Sequence, residues 1–246
     1  MTTIKERYKQ VQERIAAAAN RVGRDASSIH LVVVTKHASV DDVRQLVDLG
    51  HVDFAESRLQ HFTQLAAQID EYIHRRMELE EPDLASPIRW HFIGHLQRNK
   101  CRRVIPLSRM IHSVDSLRLA EEIQEVACKK DIVTEVLLQT NISRERQKTG
   151  IAPAAVGYLL EQLETMPNVT PRGMMCMAPE SDNPEDARPV FQRCSELFTE
   201  MQSHPHCGES FNILSMGMSN DFEVAIECGA NIVRVGSALF GVPAVN

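Results

Sequence analysis

The feature that most constrains this chain is a recurrence: short apolar runs alternate eight times with helical segments, most of them visibly amphipathic. Leu31-Val32-Val33-Val34 is the clearest run. Four apolar, mostly β-branched residues in a row read as a strand buried on both faces, the pattern of a parallel sheet rather than an exposed hairpin. Further strands are expected at Val52–Glu56, Arg89–Gly94, Met110–Val114, Thr134–Gln139, Arg172–Met177, Asn212–Ser215 and Asn231–Val235. The intervening segments repeat at helical spacing. Ile4, Tyr8, Val11 and Ile15 mark a first helix over residues 3–22, ended by Gly23. Val40, Val43, Leu46 and Val47 mark a second that Ser39 and Asp42 can cap and that stops at Gly50. A third, with Leu59, Phe62, Leu65, Ala66 and Ile69 on one side, starts at Arg58 and is followed by an acidic loop, Glu78–Pro87. A basic helix follows the third strand, and another starts at Asp115 or Ser116 and ends near Lys130. The last three are expected over Ala154–Thr165, Pro184–Gln202 and Asp221–Cys228, with a loop at Asn141–Gly150 before the first of them. Eight strand-helix units without a dividing linker predict one domain, residues 1–246, folded as a (β/α)8 TIM barrel. The tail after the eighth strand is too short for a closing helix, and the N-terminal helix is expected to take that place.

Composition narrows the function classes. A net charge of -6 argues against a nucleic-acid surface, which needs a basic patch. The densest basic stretch, Arg98–Arg103, reads as a solvated helix face with room for an anion at most. The six cysteines contain no C-x-x-C pair, and Cys176 and Cys228 sit in apolar contexts as small core residues. His204-Pro205-His206-Cys207 lacks the second half of a metal site, so a plain loop is expected and no metal. There is no signal-peptide core and no apolar run near the ~18 residues of a membrane span, so a cytoplasmic chain off the membrane is expected.

The chemistry gathers where barrels place it, at the carboxyl ends of the strands. Lys36 ends the first strand. A lysine there is often merely solvated; held against apolar surroundings its pKa falls and it becomes a nucleophile toward carbonyls, able to form a Schiff base. The seventh and eighth strands lead into Ser215-Met216-Gly217-Met218-Ser219-Asn220-Asp221 and Arg234-Val235-Gly236-Ser237. Both are small glycine-containing turns before helices, whose N–H groups and hydroxyls suit a phosphate dianion. Either alone is plain turn geometry or capping; together with Lys36 they favour a phosphorylated aldehyde. Arg234 sharpens this, because a guanidinium only donates. Facing the ring nitrogen of pyridoxal 5'-phosphate (PLP), it would leave that nitrogen unprotonated and the cofactor a poor electron sink.

These residues carry a resemblance. The chain resembles the pyridoxal phosphate homeostasis protein family, whose fold is similar to the N-terminal barrel domain of alanine racemase, a fold-type III PLP protein. It runs over nearly the whole chain: Val34-Thr35-Lys36, Trp90–Gln97 with Asn99-Lys100, His112–Ser116, Asn141, Ser143, Glu145, Lys148, Gly150, Ser215–Ser219 with Asp221, and Arg234, Gly236, Ser237, Phe240 and Gly241. The resemblance implies that Lys36 carries the aldimine, Arg234 partners the pyridine nitrogen, and Ser219, Gly236 and Ser237 hold the phosphate. One departure stands out: the family's Gly-Glu-Asn after the second strand is Ala55-Glu56-Ser57 here. Ser57 is kept as a cofactor-binding residue, but it is shorter than the asparagine, so a bridging water and a reduced affinity or a shifted ring are expected.

A racemase of this fold also needs a tyrosine acid/base, supplied by an additional β domain and by the partner subunit. This chain ends at Asn246, soon after the eighth strand, so that domain is expected to be missing. Tyr8, Tyr72 and Tyr158 all fall on predicted helices, where packing is their plainer role. His37, His91 and His112 are the candidate substitutes at the mouth. The expected function is therefore to carry or buffer PLP on Lys36 in vitamin B6 homeostasis without robust turnover. The alternatives are a small PLP-dependent amino-acid racemase and, without cofactor, a Schiff-base aldolase. Expected partners are PLP itself and, transiently, apo forms of PLP-dependent enzymes; a monomer is expected. Lys100 and Lys148 are candidates for a second PLP site.

Overall fold

Eight parallel strands close into a barrel in chain order. They are β1 (His30–Val34), β2 (Asp53–Glu56), β3 (Arg89–Phe92), β4 (Met110–Val114), β5 (Thr134–Gln139), β6 (Val169–Met175), β7 (Ile213–Ser215) and β8 (Ile232–Val235). The structure, a computed structural model, describes residues 2–78, 87–143 and 149–241. Glu145 and Lys148, and most of the expected Glu78–Pro87 loop, lie outside them. Closure is made by β1, which pairs with β2 through Val33↔Phe54 and with β8 through Val32↔Arg234.

Because successive side chains of a strand point to opposite faces, each strand divides its residues between two cores. Val33, Phe54, Trp90, Phe92, Ile111, Val136, Leu138, Met174, Leu214 and Val233 join the large core shared with the helices. Two small apolar groups, Val32–Ala55–Ile232 and Met110–Leu137–Met175, belong to the opposite set. Five polar residues of that set (Asp53, His91, His112, Ser215 and Arg234) are linked in sequence by hydrogen bonds. Full burial of a large apolar side chain contributes about 1.5–3 kcal/mol. The outer core, with Phe54, Phe62, Phe191 and Phe222 all at 0% exposure, therefore holds the fold.

The helices are α1 (Ile4–Arg21), α2 (Val40–Asp48), α3 (Leu59–Glu78), α4 (Cys101–Val104), α5 (Leu117–Lys129), α6 (Val156–Leu163), α7 (Arg188–Gln202), α8 (Phe222–Glu227) and α9 (Ser237–Phe240). Helix α2 starts with the expected capping box: Ser39 Oγ accepts from Asp42 N while the Asp42 carboxylate accepts from Ser39 N, both at 3.1 Å. Helix α1 packs against α2, α8 and α9, the closing position expected for it. Arg14 pairs with Glu223 at 2.7 Å and Arg21 with Glu227 at 2.6 Å, fastening the two ends of the chain.

Two elements differ from expectation. The basic stretch after β3 is no continuous helix: α4 has four residues, flanked by 3-10 turns at Arg98–Lys100 and Ile105–Leu107. Pro106 cannot continue an α-helical ladder, which accounts for the break. Strand β6 begins at Val169 rather than Arg172 and runs through Pro171, which has no N–H to give. The sheet absorbs it with a register shift between Val136 and Leu137 of β5. All six cysteines are free, and Cys176 and Cys228 are buried as expected.

Candidate functional site

At the carboxyl ends of the strands lies a cavity of about 540 Å³. All six residues singled out in the sequence line it: Lys36, Ser57, Ser219, Arg234, Gly236 and Ser237. Chain order explains the convergence. Lys36 follows β1 with the side-chain parity of Val32 and Val34, Ser57 follows β2, and the others lie on or after β7 and β8.

Arg234 forms the floor. It is 3% exposed, its Nη1 donates to Ser215 Oγ at 2.7 Å, and its Nη2 donates to the Cys176 carbonyl at 3.1 Å. Both partners are neutral oxygens, so the guanidinium keeps its charge while burial lowers its pKa from the usual arginine value. Asp221 is the nearby acid, but its Oδ1 accepts from Met218 N at 2.6 Å. Burial raises the Asp221 pKa, against the lowering by that N–H and by the Arg234 charge.

The phosphate-type cradle is built from two loops stitched together. Ser219 Oγ, after β7, accepts from Gly236 N at 3.1 Å and Ala238 N at 3.2 Å, after β8. Two backbone N–H groups thus converge on one oxygen, and the Ser219 hydroxyl proton stays free to donate. A Cβ on Gly236 would meet the Val34 carbonyl at 3.0 Å, so glycine lets this loop lie against β1. Gly217 turns the other loop at φ +90, where a Cβ would meet Ala225 Cβ at 2.5 Å. Asn220 Nδ2 donates to the Ser181 carbonyl at 2.8 Å, tying that loop to the one after β6. Helices α8 and α9 have only six and four residues, so the anion chemistry rests on N–H groups and hydroxyls rather than on a helix dipole.

Two expectations need correction. Lys36 is exposed at the mouth, so apolar enclosure of its amine is not observed. His91 and His112 are not at the mouth: they are third in β3 and third in β4, and hydrogen-bond to each other at 2.9 Å inside the barrel. His37 does line the cavity, and is exposed. Lys100 is not among the lining residues. His206 of the histidine loop pairs with Glu164 at 2.8 Å, and among the described residues no group of three ligands could hold a metal. The tyrosines stand elsewhere too: Tyr8 meets His51 Nδ1 at 3.1 Å, Tyr72 donates to Asp48 at 2.7 Å, and Tyr158 is exposed on α6.

Sequence reasoning missed Ser215 as the partner of Arg234, Asp221 as the staple of the Gly217–Asn220 turn, and the apolar rim of Met177, Pro179, Met218 and Phe240. Only Asp221 had a signal, an aspartate three residues after the N–H it accepts.

The residues present fit PLP. Converging N–H groups and hydroxyls suit its phosphate, the donor-only Arg234 suits an unprotonated ring nitrogen, and Lys36 supplies an amine. Comparison with known proteins agrees. Residues 7–244 match the family described as alanine racemase, N-terminal domain. The chain is 39% identical over 241 residues to the pyridoxal phosphate homeostasis protein of Aquifex aeolicus, covering 96% of each chain. Among solved structures it is similar to PipY of Synechococcus elongatus with PLP bound, at 28% identity and a TM-score of 0.77, over 94% of this chain and 100% of that one. Alanine racemase of Clostridium difficile shares the fold at 16% identity and a TM-score of 0.68, over 95% of this chain and 60% of the other.

Proposed function

The chain belongs to the pyridoxal phosphate homeostasis protein family, and from that premise we propose that it holds and releases PLP in the cavity above Arg234 without turning over a substrate. The observation that carries this reading is the convergence of Lys36, Ser57, Ser219, Arg234, Gly236 and Ser237 on one cavity. When bound, PLP supplies an aldehyde that condenses reversibly with a primary amine. Lys36 offers that amine, and its exposure leaves it open to exchange with amines from solution. The Ser219 and Ser237 hydroxyls hold the phosphate, with the Gly236 N–H bracing Ser219 Oγ and the absent Cβ leaving room beside them. Arg234 presents only donors, so a ring nitrogen held there accepts a hydrogen bond and gains no proton. Carbanion chemistry is thereby disfavoured, since it draws on a protonated ring. The three tyrosines stand away from the cavity, His91 and His112 lie beneath it in bonds of their own, and of the candidate acid/base groups His37 alone lines it, exposed to solvent. That placement supports a carrier over a racemase.

The test is to load the protein with PLP and incubate it with L-alanine in D2O, following α-deuterium by NMR and PLP transfer to an added apoenzyme. PLP transfer with negligible exchange is expected. Sustained exchange at enzyme-like rates would make it a racemase.

A further inference from the structure

A single chain of hydrogen bonds runs through the barrel from the opposite mouth to Arg234. It begins where Arg89 Nε and Nη2 donate to the Asp53 carboxylate at 2.7 and 2.5 Å. Asp53 Oδ1 lies 3.2 Å from His91 Nε2, and His91 Nδ1 lies 2.9 Å from His112 Nε2. His112 Nδ1 lies 3.1 Å from Ser215 Oγ, which accepts from Arg234 Nη1 at 2.7 Å.

The ends fix the direction of every bond between them. Burial pushes the Asp53 pKa up, but the hydrogen bonds from His91 and Arg89 outweigh it and hold the carboxyl well below the usual range, so it only accepts. At the other end Arg234 only donates to Ser215 Oγ, so the Ser215 proton takes His112 Nδ1 as its acceptor. The His112 proton then sits on Nε2, and His91 accepts at Nδ1 and donates from Nε2 to Asp53. Burial holds His112 neutral, its pKa well below the ordinary histidine value, with the Arg234 charge acting the same way. Reversal would put two donors on Ser215 Oγ and leave its proton without a partner. Apolar side chains belonging to the same interior set, Val32–Ala55–Ile232 and Met110–Leu137–Met175, offer no alternative one.

We propose that Asp53 and His91 are positioning residues for Arg234: by fixing the proton of His112 on Nε2 they give the Ser215 proton its acceptor at His112 Nδ1 and keep Ser215 Oγ free of a second donor. Ser215 Oγ thus holds the guanidinium, with the remaining donors of Arg234 available to the cavity. A carboxylate that fixes a histidine's tautomer in this way can be replaced by asparagine with little change of shape but the wrong tautomer. In Asp53→Asn the amide oxygen stays with the donor-only Arg89 and the amide N–H turns to His91. That forces the whole chain to reverse.

The bearing on the cofactor rests on the PLP reading above; the tautomers do not. The experiment is 15N NMR of histidine-labelled protein purified free of PLP, paired with PLP titration. In wild-type protein His91 and His112 are both expected to carry the proton on Nε2 and to accept at Nδ1. In Asp53→Asn both move to Nδ1–H and PLP affinity falls about tenfold, the scale of one misdirected hydrogen bond to a charged group. Glu135→Gln, an acid at the same mouth outside the chain, should change neither readout. A wild-type His112 that is cationic or protonated on Nδ1 overturns the assignment without any variant. So does an Asp53→Asn protein that keeps its tautomers and its affinity. If wild-type protein takes up no PLP, the cofactor reading fails, and the NMR result alone then decides on the chain of hydrogen bonds.

Discussion

The two mouths of the barrel both carry arginines, and they use them differently. At the strand starts Arg89 pairs with Asp53, while Arg109 at 3.0 Å and Arg172 at 2.6 Å share Glu135. Among the described residues, each of these three arginines has a carboxylate within reach, two of them sharing one. At the strand ends Arg234 is hydrogen-bonded, among the described residues, only to a hydroxyl and a carbonyl, and Lys36 stands exposed at the same cavity. Paired charges spend their field on each other; a cation on neutral oxygens keeps more of it for a ligand, although Asp221 takes a share. On the proposed function, one opening stabilises and the other binds.

Breaking that contrast should have its largest effect at Arg234. Arg234→Met leaves Ser215 and the Cys176 carbonyl short of a donor, and PLP affinity measured by absorbance titration should fall about a hundredfold, with stability lower by about 2 kcal/mol. Gly236→Val drives a side chain into the Val34 carbonyl, and affinity for PLP should fall about tenfold while the fold persists.

The third prediction concerns pH. His51 and His112 are both held neutral in the fold, chiefly by burial, so their folded pKa values lie below the ~6.5 of an unfolded histidine. The unfolded chain therefore takes up protons first as pH drops. The stabilisation is complete above about 6.5 and is lost as pH falls below it. His112→Gln should flatten that acid limb by about one proton, roughly 1.4 kcal/mol per pH unit, in denaturant midpoints taken between about pH 6.5 and 5. The smallest effect is at the paired mouth: Glu135→Gln should lower stability by about 1 kcal/mol, because its arginine partners are partly exposed, and leave PLP uptake unchanged.

The contrast between the mouths was only half legible in the sequence. The barrel could be read because strands buried on both faces leave uninterrupted runs such as Leu31–Val34, and because Ser39 and Asp42 announce a helix. Lys36, Arg234 and the Gly217 and Gly236 turns could be read because they follow those runs. Depth along the barrel axis could not. Alternation tells which face His91 and His112 take, but their distance from the rim depends on where β3 and β4 end and how the strands stagger. The exposure of Lys36 depends on loops packed from distant segments. Ser215 looked like loop chemistry until Arg234, nineteen residues on, was seen to need an acceptor.

The central claim is that Lys36 is the amine that holds PLP. Reduction of the PLP-loaded protein with borohydride, followed by peptide mass mapping, tests it most directly. A pyridoxyl group on Lys36, absent from Lys36→Ala, is the predicted result. A label fixed on another lysine, or no label at all, would contradict it.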